Sequence, residues 1–597
     1  MRTRSIKRAG FSFWHDPETG EFTLESDRSQ LQMACQGSVS QLGGLDAGTV
    51  WEFATSEERG ESVFWRFSAT QTCWQRKHLC VEITASEVLF RIEVEGQGSI
   101  DRVVYFAGYP PDLLPEAKST FRTLNWARPA WHRHWVGSPL SFDSVLNPQP
   151  VVPGAQRLAS GVSQRITCAT TFGPEIFNTF FAPPLFAYGF DENFCVGVVA
   201  PISASRFNHF DFTSTSGWGL ELHYDGKTAV EGHWTSPVIR VAPCQEAEWG
   251  LADYANFLRR SGLAAEPARE VPGWACRPIF CGWGQQTVWA NEAENGVVPP
   301  VGSPVTPGGA GYASQAAYET ILQLLEERDL PYGTFMIDAG WSACQTIPVP
   351  DEQLWPDMRG FIERLHRKGK RVFLWLATWN PSGLEEGLRM PHAPGLRDCC
   401  DPTNPIFRKR LVEAITYAVS PGGLDADGFK VDYTGDLPRG DYRPAGNLWG
   451  LELVHDYLKL IHDAMKRAKP DTILETHCAN PQFADVTEMI RLNDIFSPSE
   501  DIRPMMEFRA RMSQIALPNC LIDTDCDPFI SREAWLDYMR LQPRLGIPSL
   551  YSITHASFCA EGSPPEAIPA GDWDEIRRIW TQYNMGRGAK LPDTNPI

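Results

Sequence analysis

The first 243 residues contain short runs in which apolar and polar side chains alternate. In the segment 90–95, Phe, Ile and Val alternate with Arg and Glu, which places the apolar side chains on one face of a strand. The segments 62–67 and 195–200 are similarly rich in β-branched and aromatic residues, and Gly, Pro, Asn and Asp separate such runs. This pattern predicts an antiparallel β-sandwich over residues 1–247.

The pattern changes after residue 247. An amphipathic stretch that starts at Glu248 predicts a helix, and the residues that follow it up to Pro272 predict a linker. From residue 273 onward, short apolar runs alternate with helical periodicities, such as the apolar stripe between residues 451 and 465. A chain of 597 residues is too long for one hydrophobic core. We therefore expect two domains, 1–247 and 273–597, joined by residues 248–272.

Eight apolar runs in the second domain predict β-strands that alternate with helices. They are short and continuously apolar, as parallel strands covered on both faces should be. Eight strand–helix units predict a (β/α)8 TIM barrel. The alternative is an open doubly wound sheet, but no Gly-x-Gly-x-x-Gly turn follows the first strand. Residues 285–312, rich in Gly, Pro and Val, predict a long loop on the active-site face. The predicted strands are 278–283, 333–338, 371–376, 428–433, 472–477, 494–497, 519–524 and 548–554.

Composition and charge narrow the classes of partner. The net charge of −19 argues against nucleic acid, because phosphate binding depends on clustered Lys and Arg. No apolar run reaches the roughly 18 residues of a membrane span, and the N-terminus has no signal-peptide pattern. The 15 Cys have irregular spacing, which favours free thiols over a disulfide framework. We expect a cytoplasmic protein that binds neither nucleic acid nor membranes; a homo-oligomeric state is left open.

Polar and aromatic residues follow the predicted strands, where a TIM barrel carries its active site. Lys430 and Asp432 end the fourth strand, and Glu475 and His477 end the fifth. Glycosidic cleavage needs two carboxyl groups that flank the bond, and the faces of the 21 Trp suit sugar rings. The sequence therefore predicts a sugar pocket with an oligosaccharide or glycoside as substrate. The other such residues at strand ends include Trp283, Asp338, Trp341, Trp375, Glu500, Asp501 and Asp523.

Four segments resemble motifs of clan D glycoside hydrolases, which include the α-galactosidases and raffinose synthases of glycoside hydrolase family 36. Residues 338–341, Asp-Ala-Gly-Trp, resemble their Asp-Asp-Gly-Trp strand, and residues 401–409 resemble their Asp-Leu-Thr-Asn-Pro-x-Val segment. Residues 427–432 resemble the Lys-x-Asp nucleophile motif, and residues 499–504 are similar to the Ser-Asp-Asp-x-x-Pro stretch that carries the acid/base. The resemblance covers residues 277–555, and the order of the motifs on successive strands is its most specific part.

The resemblance implies a retaining mechanism with Asp432 as the nucleophile. A second carboxylic acid would protonate the leaving oxygen and then activate water or an acceptor sugar. This acid/base is Asp501 if Ile502 is aligned with the apolar residue after the second family carboxylate, and Glu500 if the first carboxylate is the reference. Lys430 shares a strand face with Asp432 and would keep it ionised while contacting sugar hydroxyls. The alternative is a structural Lys–Asp pair without catalysis.

Further side chains are expected to bind the substrate. Asp338 would contact hydroxyls of the sugar in the −1 subsite, but Ala339 follows it where galactose-binding members carry a second acid. An α-glucoside or another pyranoside therefore stays open beside an α-galactoside. No metal or cofactor is expected, because retaining hydrolysis needs none. The rest of the predicted substrate-binding set is Lys430, Trp341, Trp375, Trp283, Glu475, His477, Asp523 and Arg503.

Three functions fit this sequence. The first is a retaining α-glycosidase that hydrolyses terminal α-linked sugars, and the second is a transglycosylase that passes the same intermediate to an acceptor sugar. The third is a carbohydrate-binding protein without turnover. Product analysis with and without acceptor separates the first two, whereas the third predicts binding that does not depend on Asp432.

Overall fold

The structure is a computed structural model of the whole chain. It describes residues 4–28, 30–46, 51–106, 121–123, 163–167, 187–190, 194–213, 219–245, 247–265, 271–302, 308–434, 437–492, 502–526, 529, 531–556 and 566–586. All structural statements below concern these residues.

The N-terminal part is an antiparallel β-structure, as the alternating pattern predicts. Strand Val88–Phe106 is the longest, and over residues 88–95 its side chains alternate between buried and partly exposed positions. It pairs with four other strands. The core of this β-structure includes Phe and Trp rings from β2, β3 and β6 in stacked and edge-on contact. The described strands are β1 Arg4–Lys7, β2 Ser12–His15, β3 Glu21–Glu25, β4 Gln30–Gln41, β5 Trp51–Arg59, β6 Ser62–Ala69, β7 Arg76–Ile83, β8 Val88–Phe106, β9 Phe121–Thr123, β10 Ser163–Thr167, β11 Ala187–Phe190, β12 Phe194–Val199, β13 His209–Thr213, β14 Gly219–Thr235 and β15 Val238–Pro243.

A helix, α1 (Ala247–Arg260), connects this β-structure to the second half of the chain. Its Tyr254 hydroxyl donates to the carbonyl oxygen of Val198 on β12 at 2.6 Å. Arg259 donates to the carbonyl oxygen of Ala516 in the second half at 2.6 Å. The helix predicted from Glu248 is therefore present and contacts both halves, while domain boundaries at 247 and 272 stay a proposal.

The second half is an eight-stranded parallel barrel surrounded by helices, which confirms the predicted fold class. Neighbouring strands pair in the order of the sequence, the first pairs with the eighth, and a parallel bridge between Asp523 and Ile547 lies next to the remaining gap. The strands are β16 Ile279–Cys281, β17 Thr334–Ile337, β18 Arg371–Ala377, β19 Gly428–Asp432, β20 Ile473–Thr476, β21 Met489–Arg491, β22 Leu521–Asp523 and β23 Ser549–Leu550. A short hairpin, β24 His555–Ala556 and β25 Glu566–Ala567, follows them.

Several helices around the barrel bury an apolar side. Helix α4 is an example: Met358, Phe361, Ile362 and Leu365 are buried, and the side chain of Asp357 caps its first turn. The described helices of this half are α2 Trp283–Glu294, α3 Gln315–Glu327, α4 Met358–Arg367, α5 Pro405–Val419, α6 Gly450–Ala468, α7 Arg503–Ala516, α8 Arg532–Leu545 and α9 Ala570–Gly586. None of the helices in the described ranges is long and apolar enough to cross a membrane.

Two sequence-based expectations for the barrel are wrong. The sixth strand is β21, Met489–Arg491, and not 494–497, which lies outside the described residues. The strand was missed because it is only three residues long and ends in a charged side chain. Residues 285–312 are not one long loop, because α2 occupies residues up to Glu294. Helix α2 buries two Gln side chains as well as Val288 and Trp289, so it shows no single apolar stripe.

The interior of the barrel changes character along its axis. Its lower part is an apolar cluster that includes Ile279, Met336, Phe373 and Leu521. Charged side chains lie above this cluster, at the C-terminal ends of the same strands, and are almost completely buried. This end of the barrel is where TIM barrels place their active sites.

The N-terminal β-structure packs against the barrel close to helix α6. The amides of Leu451 and Glu452 donate to the carbonyl oxygens of Phe207 and Ser205 at 3.2 and 3.0 Å. Gly450 has a φ of 61°, and a Cβ there would lie 2.2 Å from the Phe207 oxygen. Only glycine fits both constraints at this contact.

Candidate active site

Asp432 ends strand β19 and is held by three hydrogen-bond donors. Its Oδ2 accepts a hydrogen bond from Nε1 of Trp375 at 2.9 Å. Its Oδ1 lies 3.0 Å from Nε2 of His477 and 3.1 Å from the amide of Tyr433. Tyr433 has a φ of 63°, a left-handed conformation that is uncommon for an aromatic residue and is found at functional sites. The carboxylate is 8% exposed and is fixed in one orientation.

The surroundings of Asp432 favour its ionised form. Burial by itself would raise the pKa of Asp432, but the hydrogen bond from His477 and the charges of Arg491 and Lys430 outweigh it. The pKa of Asp432 therefore lies below its usual range. Burial lowers the pKa of His477, which favours a neutral ring that donates Nε2–H to Asp432.

Lys430 lies one layer deeper in the barrel, on the same face of β19. Its Nζ is 2.9 Å from Oδ2 of Asp338, 3.4 Å from Oδ2 of Asp525 and 3.3 Å from the hydroxyl of Tyr551. Burial opposes the charge on Lys430, but these carboxylates raise the pKa of Lys430 well above its usual value. The thiol of Cys281 on β16 lies 3.1 Å from the same Asp338 oxygen. Lys430 thus connects three strands through its counter-ions.

Arg491 is a site residue that the sequence analysis did not identify. Its guanidinium forms an ion pair with Asp525 and donates to the hydroxyl of Tyr551, which itself donates to Asp525 at 2.6 Å. Arg491 is 1% exposed. The available signal was one Arg within the apolar stretch Met489–Leu492, because a charge placed among apolar residues of a strand needs a buried partner.

Glu475 and Asp523 are also brought into this part of the barrel. Glu475 lies beside Lys430 in the register of β19 and β20, and Asp523 lies beside Arg491 in the register of β21 and β22. Both side chains are fully buried. Burial raises the pKa of each carboxyl well above its usual value, and the charge of Asp525 raises both further.

The three predicted Trp residues occupy different positions. Trp375 contacts Asp432 directly, with its ring edge-on to that of Tyr433. Trp341 is fully buried and donates from Nε1 to the carbonyl oxygen of Trp375 at 2.8 Å, so it supports strand β18. Trp283 is the first residue of helix α2 and packs partly buried against the apolar cluster of the barrel.

The predicted acid/base lies in the connection between β21 and α7. Glu500 and Asp501 are both outside the described residues. Arg503 begins α7 with its side chain 45% exposed, and its Nη1 lies 4.0 Å from a carboxyl oxygen of Glu507.

The segment that resembles the Asp-Leu-Thr-Asn-Pro motif supports the site from outside. Oδ2 of Asp401 accepts a hydrogen bond from the amide of Ala445 at 2.7 Å, and Oγ1 of Thr403 accepts one from the amide of Gly446 at 2.8 Å. Ala445 and Gly446 belong to the connection that follows Asp432. Asp401 is 1% exposed, and these hydrogen bonds fix the connection between β19 and α6.

The described residues contain one group of acidic side chains compact enough to consider for a metal ion. One carboxyl oxygen from each of Glu475, Asp523 and Asp525 lies within 4.8 Å of the others. Lys430 and Arg491 lie among these carboxyls, and their charges repel a further cation. What the site as a whole offers is an ionised carboxylate, fixed by three donors, above a buried network of acids and bases.

Comparison with known proteins gives likeness in fold only. No protein-family model matches the sequence. No curated protein matches it either. An α-N-acetylgalactosaminidase, NagBb from Bifidobacterium bifidum, has a similar structure with a TM-score of 0.59 at 11% identity, over 97% of this chain and 92% of that chain. A GH31 family sulfoquinovosidase from E. rectale has a TM-score of 0.54 at 10% identity, over 98% and 83% of the two chains. A GH31 α-xylosidase from a soil metagenome has a TM-score of 0.52 at 11% identity, over 98% and 84%.

Proposed function

We propose that the protein is a retaining α-glycosidase of the clan D type with Asp432 as its nucleophile. The observation that carries the proposal is the state of Asp432. It is an ionised carboxylate at the C-terminal end of the fourth barrel strand, fixed by His477, Trp375 and the Tyr433 amide. The likeness in fold to three glycosidases supports the assignment to this class.

The proposed reaction proceeds in two displacements. In the first, an oxygen of Asp432 bonds to the anomeric carbon while the bond to the leaving oxygen breaks, and a carboxylic acid gives its proton to that oxygen. In the second, the resulting carboxylate takes a proton from water, whose oxygen bonds to the anomeric carbon as the ester to Asp432 breaks. The hydrogen bonds from His477 and Trp375 orient Asp432 for attack, and they stabilise the Asp432 carboxylate that forms again when the ester breaks.

The second carboxylic acid is proposed to be Asp501, with Glu500 as the alternative. Both follow the sixth strand in the sequence and precede helix α7. Glu500→Gln and Asp501→Asn distinguish the two. Loss of the true acid/base should slow the cleavage of substrates with poor leaving groups far more than that of activated aryl glycosides.

The polar groups below Asp432 are proposed to bind the sugar in the −1 subsite. Asp338 and Lys430 form a buried ion pair whose remaining hydrogen-bonding capacity suits sugar hydroxyls. The neighbours in fold are named for three different sugars, so the likeness does not choose among them. We propose a terminal α-linked pyranoside, an α-galactoside or a related α-glycoside, as the substrate.

The test is a screen of aryl α- and β-glycosides with the wild type and Asp432→Asn. We expect turnover of one or more α-glycosides by the wild type and a loss of several orders of magnitude in kcat in the variant. Asp441→Asn is the matched control, because Asp441 is exposed on the same connection. Equal activity of wild type and Asp432→Asn would overturn the proposal. Binding of a sugar without any turnover would instead favour a carbohydrate-binding protein, and products that appear only with an acceptor sugar would favour a transglycosylase.

A further inference from the structure

Two acidic side chains at the base of the site leave most of their carboxyl oxygens without a partner. Oε1 and Oε2 of Glu475 and Oδ2 of Asp523 are buried and accept no hydrogen bond from any residue in the described ranges. The remaining oxygen of Asp523 accepts one from the amide of Asp525 at 3.0 Å. Buried polar atoms in proteins normally have a hydrogen-bond partner. Three buried oxygens without one in the same place therefore indicate that a donor is missing.

The nearby basic groups are already matched by other carboxylates. Lys430 bonds to Asp338 at 2.9 Å and lies 3.4 Å from Asp525, while Arg491 forms its ion pair with Asp525. Within the described part of the chain, no ion pair reaches Glu475 or Asp523. Two adjacent buried carboxylates that form no ion pair of their own repel each other and are costly to desolvate.

We propose that Glu475 and Asp523 share a proton at neutral pH, so that one of them is a carboxylic acid and the other its hydrogen-bond acceptor. One carboxyl oxygen of each side chain lies within 4.8 Å of the other, a separation that a shared proton would bridge directly or after a change in a side-chain torsion. The proton supplies the missing donor and removes one negative charge. We call these two residues the Glu475–Asp523 pair.

A proton fits this position better than a metal ion. The positive charges of Lys430 and Arg491 both reach Asp525, which a metal ion would need as its third ligand. Burial raises the pKa of Glu475 and of Asp523, and neighbouring carboxylates raise them further, which favours protonation of the pair. A proton needs no additional ligands, whereas Mg²⁺ or Ca²⁺ would require at least six.

Charged and titratable groups of the described residues lie on several of the elements around the pair. His477 follows strand β20 directly, two residues beyond Glu475. The other groups are Lys430 and Asp432 on β19, Arg491 on β21, Asp525 after β22, Tyr538 on α8, Tyr551 after β23, Asp338 after β17 and Cys281 on β16. Of these, Asp525 is the acid that opposes ionisation of both members.

The existence of the pair does not depend on the proposed function, but its effect on catalysis does. When the pair holds a proton, Asp432 has one negative charge fewer among its neighbours. Loss of the proton at high pH adds a negative charge beneath the nucleophile. The pair would then contribute to the alkaline limb of the activity profile.

The test compares Glu475→Gln and Asp523→Asn with Glu488→Gln in the full-length chain. Glu488 is a matched control because it is also a buried Glu in the barrel wall, just before β21. Its hydrogen bond to His462 and the charge of Lys466 outweigh burial and lower the pKa of Glu488 to about 2. The first measurement is the pH dependence of unfolding. A shared proton means that the folded chain binds a proton that the unfolded chain releases above about pH 4.3, so stability falls as the pH rises.

We expect each variant of the pair to remove about one proton from this pH dependence between roughly pH 5 and 8. Glu488→Gln removes a group that itself titrates below this range, so it should not remove the fall in stability that the shared proton causes. The second measurement is infrared spectroscopy, which needs no variant to establish the wild-type result. The wild type should show the carbonyl stretch of a protonated carboxylic acid at neutral pH, and the band should be lost in the pair variants and kept in Glu488→Gln.

Three results would overturn the proposal whether or not the chain is a glycosidase. The first is a wild-type spectrum without a protonated acid at neutral pH. The second is a band that persists in both Glu475→Gln and Asp523→Asn. The third is a stoichiometric metal ion, found by elemental analysis of the purified chain and lost in both variants. An inactive wild type that shows the expected band would refute the proposed function alone.

Discussion

The substitution Lys430→Met removes one charge from the interior of the barrel and nearly preserves the length of the side chain. Lys430 is 2% exposed and pairs with Asp338 at 2.9 Å and Asp525 at 3.4 Å. Asp525 keeps its ion pair with Arg491 when Lys430 is lost. Asp338 has no second basic partner within 4.0 Å among the described residues. The variant therefore leaves one carboxylate buried without a counter-charge.

The size of the effect follows from this geometry. Removing one partner of a buried ion pair destabilises a protein by about 3–5 kcal/mol. We expect a decrease of that order in the free energy of unfolding, measured by urea denaturation with tryptophan fluorescence. The double variant Lys430→Met/Asp338→Asn also removes the abandoned charge and should recover part of the loss. A coupling of about 1–3 kcal/mol between the two positions is expected.

Lys77→Met is the matched control for this experiment. Lys77 forms an equally buried ion pair with Asp46, 2.5 Å away, within the N-terminal β-structure. We expect a similar loss of stability but unchanged kcat/KM per folded molecule, whereas Lys430→Met should lose both. If Lys430→Met is as stable as the wild type, or if Asp338→Asn restores nothing, Lys430 does not act as the counter-charge of Asp338.

Three further predictions concern single contacts. Trp375→Phe should lower the free energy of unfolding, measured by thermal melts, by about 1–3 kcal/mol, because it removes a donor from the Asp432 carboxylate. Its control is Trp379→Phe, which removes an indole N–H with no acceptor among the described residues and should lower the free energy of unfolding by less. Asp427→Asn should destabilise most at neutral pH, because His366 and Lys469 outweigh burial and lower the pKa of Asp427. That stability is present above the unfolded pKa of about 3.9 and is lost as the pH falls further, so the difference from wild type should shrink in acid melts. Gly450→Ala should cost more than about 1 kcal/mol, since its Cβ would meet the Phe207 oxygen, whereas Gly571→Ala on helix α9 meets nothing and should be neutral or slightly stabilising in the same melts.

The sequence was sufficient for the elements whose apolar pattern is local. Strand β19 was predicted as 428–433 and is Gly428–Asp432, and strand β20 was predicted as 472–477 and is Ile473–Thr476. Both are short apolar runs that end in polar residues, so pattern and chemistry agree. The order of such runs with helices between them was enough to predict the barrel.

Elements stabilised by distant partners could not be predicted in this way. Strand β21 ends in Arg491, whose charge is matched by Asp525, 34 residues further along the chain. Helix α2 buries Gln286, whose amide donates to the carbonyl oxygens of Gly309 and Ala339. In both cases a polar residue is buried because distant parts of the chain supply its hydrogen-bond or ion-pair partners. The local sequence pattern does not contain those contacts.

For the candidate site too, the sequence predicts some features, whereas others depend on distant contacts. Asp338, Lys430, Asp432 and His477 stand at strand ends in the sequence. The structure brings Lys430 into contact with Asp338 and His477 into contact with Asp432. The roles assigned to them stay predictions. The hydrogen bond from Trp375 to Asp432 depends on the register between β18 and β19, which places Ala377 beside Asp432 and Trp375 beside Lys430. Register is set by packing of the whole barrel and is not visible in either strand alone.

The most direct test of the account is to trap the proposed covalent intermediate. Wild type and Asp432→Asn would be incubated with a slowly hydrolysed fluorinated α-glycoside of the preferred sugar, and the digested chains compared by mass spectrometry. The account predicts one added glycosyl group on the wild-type peptide that contains Asp432, and none on the variant. An adduct on a different carboxylate, or turnover with inversion at the anomeric carbon and no adduct, would contradict it.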